Sequence, residues 1–196
     1  AARARTAGDR VELVELPGAD ETETPLYTSP LLGESSTPLA SVFTSNGSTR
    51  LHFTATGDFH LSPDRILYSP LPHADPILAQ SQLLGPVFAV WLEERGRPLL
   101  HASTIDVDGA AAAFLSASHG GKSSLAAALM QAGAALLSDD LLAAEKVGGV
   151  WTAHPAYAQL RMWPEQARRF LPGVTELDPV HPSNPKLRVP VGAGVW

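Results

Sequence analysis

Residues 116–124 read Ser116-Ala117-Ser118-His119-Gly120-Gly121-Lys122-Ser123-Ser124. Each type has a job in holding phosphate. Glycines let backbone N–H groups turn toward phosphate oxygens, and the N-terminus of a following helix adds partial positive charge. Lys122 would neutralise β- and γ-phosphate charge, and the Ser123 hydroxyl would help hold Mg²⁺. Gly120 and Gly121 supply the cradle, with Ser118, His119 and Ser124 around it. Ser116 stands where such loops begin with glycine, at a steric cost wherever the loop needs positive φ. The plain alternative is a Ser/Gly-rich turn before an ordinary helix. His119 can meet phosphate or simply face solvent.

Asp139-Asp140 follows seventeen residues after Lys122. A carboxylate at the end of a strand neighbouring the loop is the usual second half of a phosphate–Mg²⁺ site. Neighbours in a strand face opposite sides, so one carboxylate can hold metal or water while the other faces an acceptor. The competing reading is a solvated turn or a helix N-cap. His101 follows the apolar Pro98-Leu99-Leu100. His52, His60, His73, His154 and His181 have no ligand-like spacing, and the chain has no cysteine, so zinc motifs and disulfides are excluded. Arg161, Lys186 and Arg188 are candidates for contacts to phosphate or acceptor, against the alternative of ordinary surface cations.

These residues need a scaffold. The apolar run Ala111–Leu115 reads as a buried strand entering the loop, and Leu125, Ala128, Leu129 and Ala132 keep helical spacing after it. Leu99–Val107 reads as a strand joined to Ala111–Leu115 by the hairpin signal Asp108-Gly109. Gly133 ends the helix, Ala134–Leu137 and Leu141–Val147 are apolar again, and Val150–Ala153 returns after Gly148-Gly149. Pro164–Phe170 starts a further helix with proline in its first turn. The Pro-rich stretch 172–190 reads as loop. Upstream, short strands at Ser41–Thr44, Leu51–Thr54, Asp58–Leu61 and Ile66–Tyr68 suggest a small antiparallel sheet, with one more strand near Val11–Leu16. Asp75–Arg95 reads as helix, divided at Gly85-Pro86, with Ile77, Leu84, Phe88 and Trp91 on one face and Gly96 as its C-cap. The expected division is residues 1–73, β-rich, and 74–196, carrying the phosphate loop.

The chain has 196 residues, 44% hydrophobic and 17% charged, enough to bury a sizeable core. Its net charge of −6 argues against nucleic acid as the main partner. No stretch approaches the roughly 18 continuous apolar residues of a membrane span, and no signal peptide is visible, so cytoplasm is the expected compartment. The absence of an initial Met and the stop at Val195-Trp196 leave room for further chain.

Taken together, His101, the loop from Ser116, Lys122-Ser123 and Asp139-Asp140 resemble the catalytic domain of the HPr kinase/phosphorylase family in order and spacing. His101 precedes Lys122 by 21 residues and Asp139 by 38, as in that family. Leu136-Leu137-Ser138-Asp139-Asp140 is similar to the family's strand ending in Asp-Asp. The detailed likeness covers residues 98–147, with a looser one from 50 to 165. It implies an α/β P-loop fold related to phosphoenolpyruvate carboxykinase and transfer of phosphate from ATP, with Mg²⁺, to a protein serine. Asp139 would then be the general base, Asp140 would assist the metal or the active-site network, and His101 would lie near the transferred phosphate. The family's separate N-terminal domain and its downstream glycine-rich signature for phosphorolysis are not recognisable. The chain is more similar to HPr-kinase-like proteins of biosynthetic clusters, some of which phosphorylate the C-terminal serine of a lasso peptide precursor. Leu99-Leu100-His101-Ala102-Ser103 and Gln159–Pro164 carry that second likeness. A homo-oligomer is a further implication. The rivals are a nucleotide hydrolase or small-molecule phosphotransferase, and a nucleotide-sensing module without turnover.

Overall fold

The computed structural model describes residues 10–13, 24–33, 36–45, 47–117, 119–156, 159–171, 176–181 and 184–191. The chain forms two compact units, Ala1–Leu83 and Leu84–Trp196. In the first unit β1 (Arg10–Leu13), β2 (Tyr27–Thr28), β3 (Ala40–Ser45), β4 (Ser48–Phe53), β5 (Gly57–Leu61) and β6 (Arg65–Pro70) form one sheet, ordered β1-β6-β5-β4-β3-β2. The strands from β2 to β6 form an antiparallel meander as the turn residues predict, while β1 pairs parallel to β6. Its continuation toward Leu16 lies outside the described residues. Alternation buries Gly57, Phe59 and Leu61 of β5, and Phe59 sits between Phe53, edge-on at 5.8 Å, and Tyr68, stacked at 4.4 Å. α1 (Pro76–Gln82) starts at Asp75, whose carboxylate accepts from the Ile77 and Leu78 N–H groups.

The helical run is interrupted. Through Leu83–Val87 the backbone leaves helical geometry at Gly85 (φ −110°, ψ −106°), and α2 (Phe88–Glu93) follows. Trp91 and Val87 are buried, whereas Ile77 is 43% exposed. Gly96 (φ +69°) does end this helix. In the second unit three antiparallel sheets follow. β7 (Leu99–Leu100), β11 (Leu142–Val147) and β12 (Val150–His154) form one, and β8 (Ala102–Val107), β9 (Ala110–Leu115) and β10 (Ala135–Ser138) another. The third comprises β13 (Gln159–Met162), β14 (Pro179–His181) and β15 (Asn184–Pro190). α3 (Lys122–Gln131) and α4 (Pro164–Phe170) share a core with the second and third of these sheets: Ile105, Ala126, Ala127, Met130, Leu160, Met162, Ala167, Leu171 and Val189.

Four differences from the sequence reading bear on the site. The expected strand 99–107 is broken at His101: Leu99 and Leu100 pair with β11, and β8 starts at Ala102. The strand ending in Asp139 does not neighbour β9, because β8 lies between them. α3 buries Ala126, Ala127 and Met130, and leaves Leu125 45% exposed. Small alanines allow a close approach to the sheet, and that rotation also brings Ser123, four residues before Ala127, to the inner side. Finally, 172–190 is not all loop. In β15 Leu187 and Val189 alternate with Lys186 and Arg188, and its pairing with β13 runs from Leu187 to Pro190, so Pro185 falls outside that ladder.

Candidate functional site

β9 and β10 are both antiparallel to β8, so they run parallel to each other. Their C-terminal ends and the N-terminal start of β8 therefore fall at one end of this sheet. That geometry gathers His101 just before β8, Ser103 within it, the loop after Leu115, and Asp139-Asp140 after Ser138. Residues far apart in sequence meet because three strand ends coincide.

The loop turns sharply through His119 (φ 65°) and Gly121 (φ 82°), the latter being the N-cap of α3. Ser116 is not at positive φ, so the steric cost expected there is borne by His119 instead. Ser116 matters in another way: a Cβ on Gly120 would lie 2.2 Å from its Oγ and 2.6 Å from its Cβ. Glycine at 120 is thus required by the residue at 116. Lys122 reaches back along the loop, its Nζ donating to the Ser116 carbonyl at 3.0 Å. Ser118 lies outside the described residues.

Asp139 is the hub. The Ser123 hydroxyl donates to it (3.0 Å to Oδ1, 3.2 Å to Oδ2), as does the Arg161 backbone N–H (2.8 Å to Oδ2). The fully buried Ser103 hydroxyl donates to Oδ1. Burial pushes its carboxyl above the usual range, and the Asp140 charge adds to this; the hydrogen bonds from Ser103, Arg161 and Ser123 oppose it without cancelling it. Asp140 (φ 74°) turns the other way and pairs with the Arg161 guanidinium at 2.9 Å. The Asp140 carbonyl lies 2.8 Å from His101 Nδ1. A carbonyl can only accept, so Nδ1 carries the proton, and in the neutral ring Nε2 keeps its lone pair. His101 thereby helps hold Asp140 in its left-handed conformation.

Above Asp139 and Ser103 lies a cleft of about 240 Å³, lined in part by His101, Ser123, Asp140 and Arg161. One wall is the loop with Lys122, Ser123 and Ser124; the other is β13, the start of α4 and Lys186. Trp163, at the N-cap of α4, stacks on His119 with centroids 5.4 Å apart and planes 19° apart. Of the residues singled out from sequence, His101, His119, Gly120, Gly121, Lys122, Ser123, Ser124, Asp140, Arg161 and Lys186 line the cleft, and Asp139 lies beneath it, bonded to Ser123. Arg188 does not line it: it pairs with Arg161 across β13 and β15, and its guanidinium donates to the Val180 carbonyl at 2.6 Å. Ser123, expected beside Asp140 at a metal, is bonded to Asp139. Sequence reasoning about the site missed Ser103, Trp163 and Gln166. β8 is buried on both faces from Ala102 to Ile105, and nothing local marks Ser103 as polar support. Trp163 carried one signal, a large aromatic directly before a helix-starting proline.

No family model matches the chain, and no curated protein or solved structure matches it either. Among the described residues no group of three His, Asp or Glu side chains could hold a metal by itself, and no helix is long and apolar enough to cross a membrane.

Proposed function

We propose that this chain is an ATP- and Mg²⁺-dependent kinase of the HPr-kinase-like type, transferring phosphate to a serine hydroxyl of a peptide or small protein. One observation carries the reading: the Ser123 hydroxyl, first turn of α3 and directly after Lys122, is bonded to the desolvated Asp139 carboxylate at the end of β10. With Asp139 held beside it, the Ser123 hydroxyl below the glycine loop, together with the neighbouring Asp140 carboxylate, is the donor set with which such a site would hold a phosphate-bound Mg²⁺. The donor set fits: Mg²⁺ takes hard oxygens and is commonly held by one or two carboxylates plus substrate phosphates, without a protein cage. When bound, the ion would offset charge on the phosphates.

The chain's own residues do the rest. Lys122, Arg161 and Lys186 present positive charge to the cleft and would orient the phosphates. Gly120 and Gly121 let backbone N–H groups approach without Cβ interference. Asp139, held by Ser103 and the Arg161 N–H, would take the acceptor hydroxyl's proton. His101 Nε2, at the cleft wall, is a second polar group near the transferred phosphate. The peptide acceptor, with a lasso precursor's C-terminal serine as the specific candidate, rests on the resemblance alone.

A second reading, nucleotide binding without turnover, has one observation in its favour: three donors already sit on the Asp139 carboxylate. Incubation with ATP·Mg²⁺ and seryl peptides, read by intact mass, separates the two. The kinase reading expects a phosphoryl group on a peptide serine. ATP bound but neither transferred nor hydrolysed would favour the module, and phosphate release with no modified peptide would favour a hydrolase.

A further inference from the structure

Trp163 is a feature of the cleft that phosphate chemistry leaves unused. A phosphate cradle needs donors and cations; it has no use for an indole. Yet Trp163 is in the lining, 37% exposed, with a ring face turned to the loop. Its backbone is well fixed. Arg161, two residues earlier, is tied by its N–H to Asp139; Met162, next to it, is 2% exposed in the core; and the Trp163 carbonyl accepts from Ala167 at 2.9 Å. A rigid, half-exposed aromatic beside a cationic phosphate site is what a planar base requires, since stacking is tolerant of base identity and each stacked base contributes appreciably to affinity.

What covers Trp163 now is another planar ring. The His119 imidazole lies on it at 5.4 Å and 19°. His119 reaches that place from a left-handed backbone (φ 65°), a conformation costly for a residue with a Cβ. The stack offsets part of that cost. A centroid spacing of 5.4 Å leaves no room for a third ring between the two, so a base must replace the imidazole rather than slip beside it.

We infer that Trp163 is the base platform of the site: the donor is a nucleotide, its base stacks on Trp163, and His119 gives up that face when it binds. This rests on the phosphate-binding reading of the loop, and adds to it that the site selects a nucleotide over a bare polyphosphate.

The test is calorimetric titration of the full chain with ATP and with inorganic tripolyphosphate, in Mg²⁺, for wild type, Trp163→Leu and Trp163→Phe. Leu keeps apolar bulk without a ring, and Phe keeps a ring. Trp163→Leu should lose on the order of tenfold in ATP affinity. It should hold tripolyphosphate within about twofold of wild type, since the phosphate contacts are untouched. Trp163→Phe should retain most of the ATP affinity. Equal loss for both ligands in Trp163→Leu overturns the inference, because Trp163 would then only prop the loop through His119. So does unchanged ATP affinity, or wild type binding tripolyphosphate as tightly as ATP. If wild type binds neither, the loop reading itself fails, and the inference with it.

Discussion

Asp139 has two oxygens and three donors on them, and Lys122 spends its ammonium on the loop's own Ser116 carbonyl. Each of these residues can be tested by itself. Lys122→Ala removes a charge that would face phosphate, and ATP affinity should fall by about 10- to 100-fold, in line with a charge-assisted hydrogen bond. Unchanged affinity by titration would count against the loop as a phosphate site. Gly120→Ala places a Cβ 2.2 Å from the Ser116 Oγ. The loop must shift, and ATP affinity should drop by roughly tenfold, the scale of about 1.4 kcal/mol of loop distortion. Because the two nearest atoms both belong to the Ser116 side chain, Ser116→Gly in the same chain should recover most of the loss. The residual cost is the Ala117 carbonyl at 3.0 Å. A double-mutant cycle showing simple additivity would mean that 116 and 120 do not share the space the structure gives them.

Elements decide which of these residues meet. In the first unit the β4–β5 pair holds Arg50, His52 and Asp58 together: Asp58 Oδ1 accepts from Arg50 at 2.8 Å and lies 3.1 Å from His52 Nδ1. Burial pushes the Asp58 carboxyl up, but the hydrogen bonds and charges of His52 and Arg50 outweigh it and hold the carboxyl below its usual range. A lowered folded value means that this stability is present above the unfolded carboxylate pKa. It is lost as pH falls through the lowered folded one. Asp58→Asn should cost about 2 kcal/mol at pH 7 by denaturant unfolding, with the gap to wild type closing in strong acid. A gap that persists at low pH would assign the loss to packing. Much of this architecture was legible. Asp108-Gly109, with φ of 53° and 83°, marked the β8–β9 hairpin, and Gly133 marked the end of α3. What was not legible has physical causes. α3 is alanine-rich on every side, so its period could not say which face packs. The interruption at His101 is made by pairing to the distant β11, and the proline content of 172–190 masked the alternation of β15. The loop, His101 and Asp139-Asp140 were visible because their types are unusual; Ser103 was not, because a buried serine in a strand looks like any other.

At the scale of the whole molecule, charge and site oppose each other. The chain carries a net −6, while one cleft gathers Lys122, Arg161 and Lys186. Such a protein should attract phosphate only locally, and it should show no mobility shift of duplex DNA at physiological salt. A stable shift would mean that the cationic wall serves a polyanion larger than a nucleotide. ATP affinity, by contrast, should weaken only modestly between 50 and 300 mM NaCl, about threefold, because the cations sit in a cleft rather than on an open face. A collapse of affinity over that range, read by the same titration, would place the binding at the surface. The central claim is that the Ser123–Asp139 pair at the meeting of three strand ends is a phosphoryl-transfer site. The most direct test sets Asp139→Asn beside wild type, measuring ATP affinity by titration and phosphoserine formation on acceptor peptides by mass spectrometry. The account predicts transfer reduced more than about 100-fold, with ATP affinity within a few-fold of wild type, as expected for loss of a proton acceptor. Transfer that survives the substitution would contradict it.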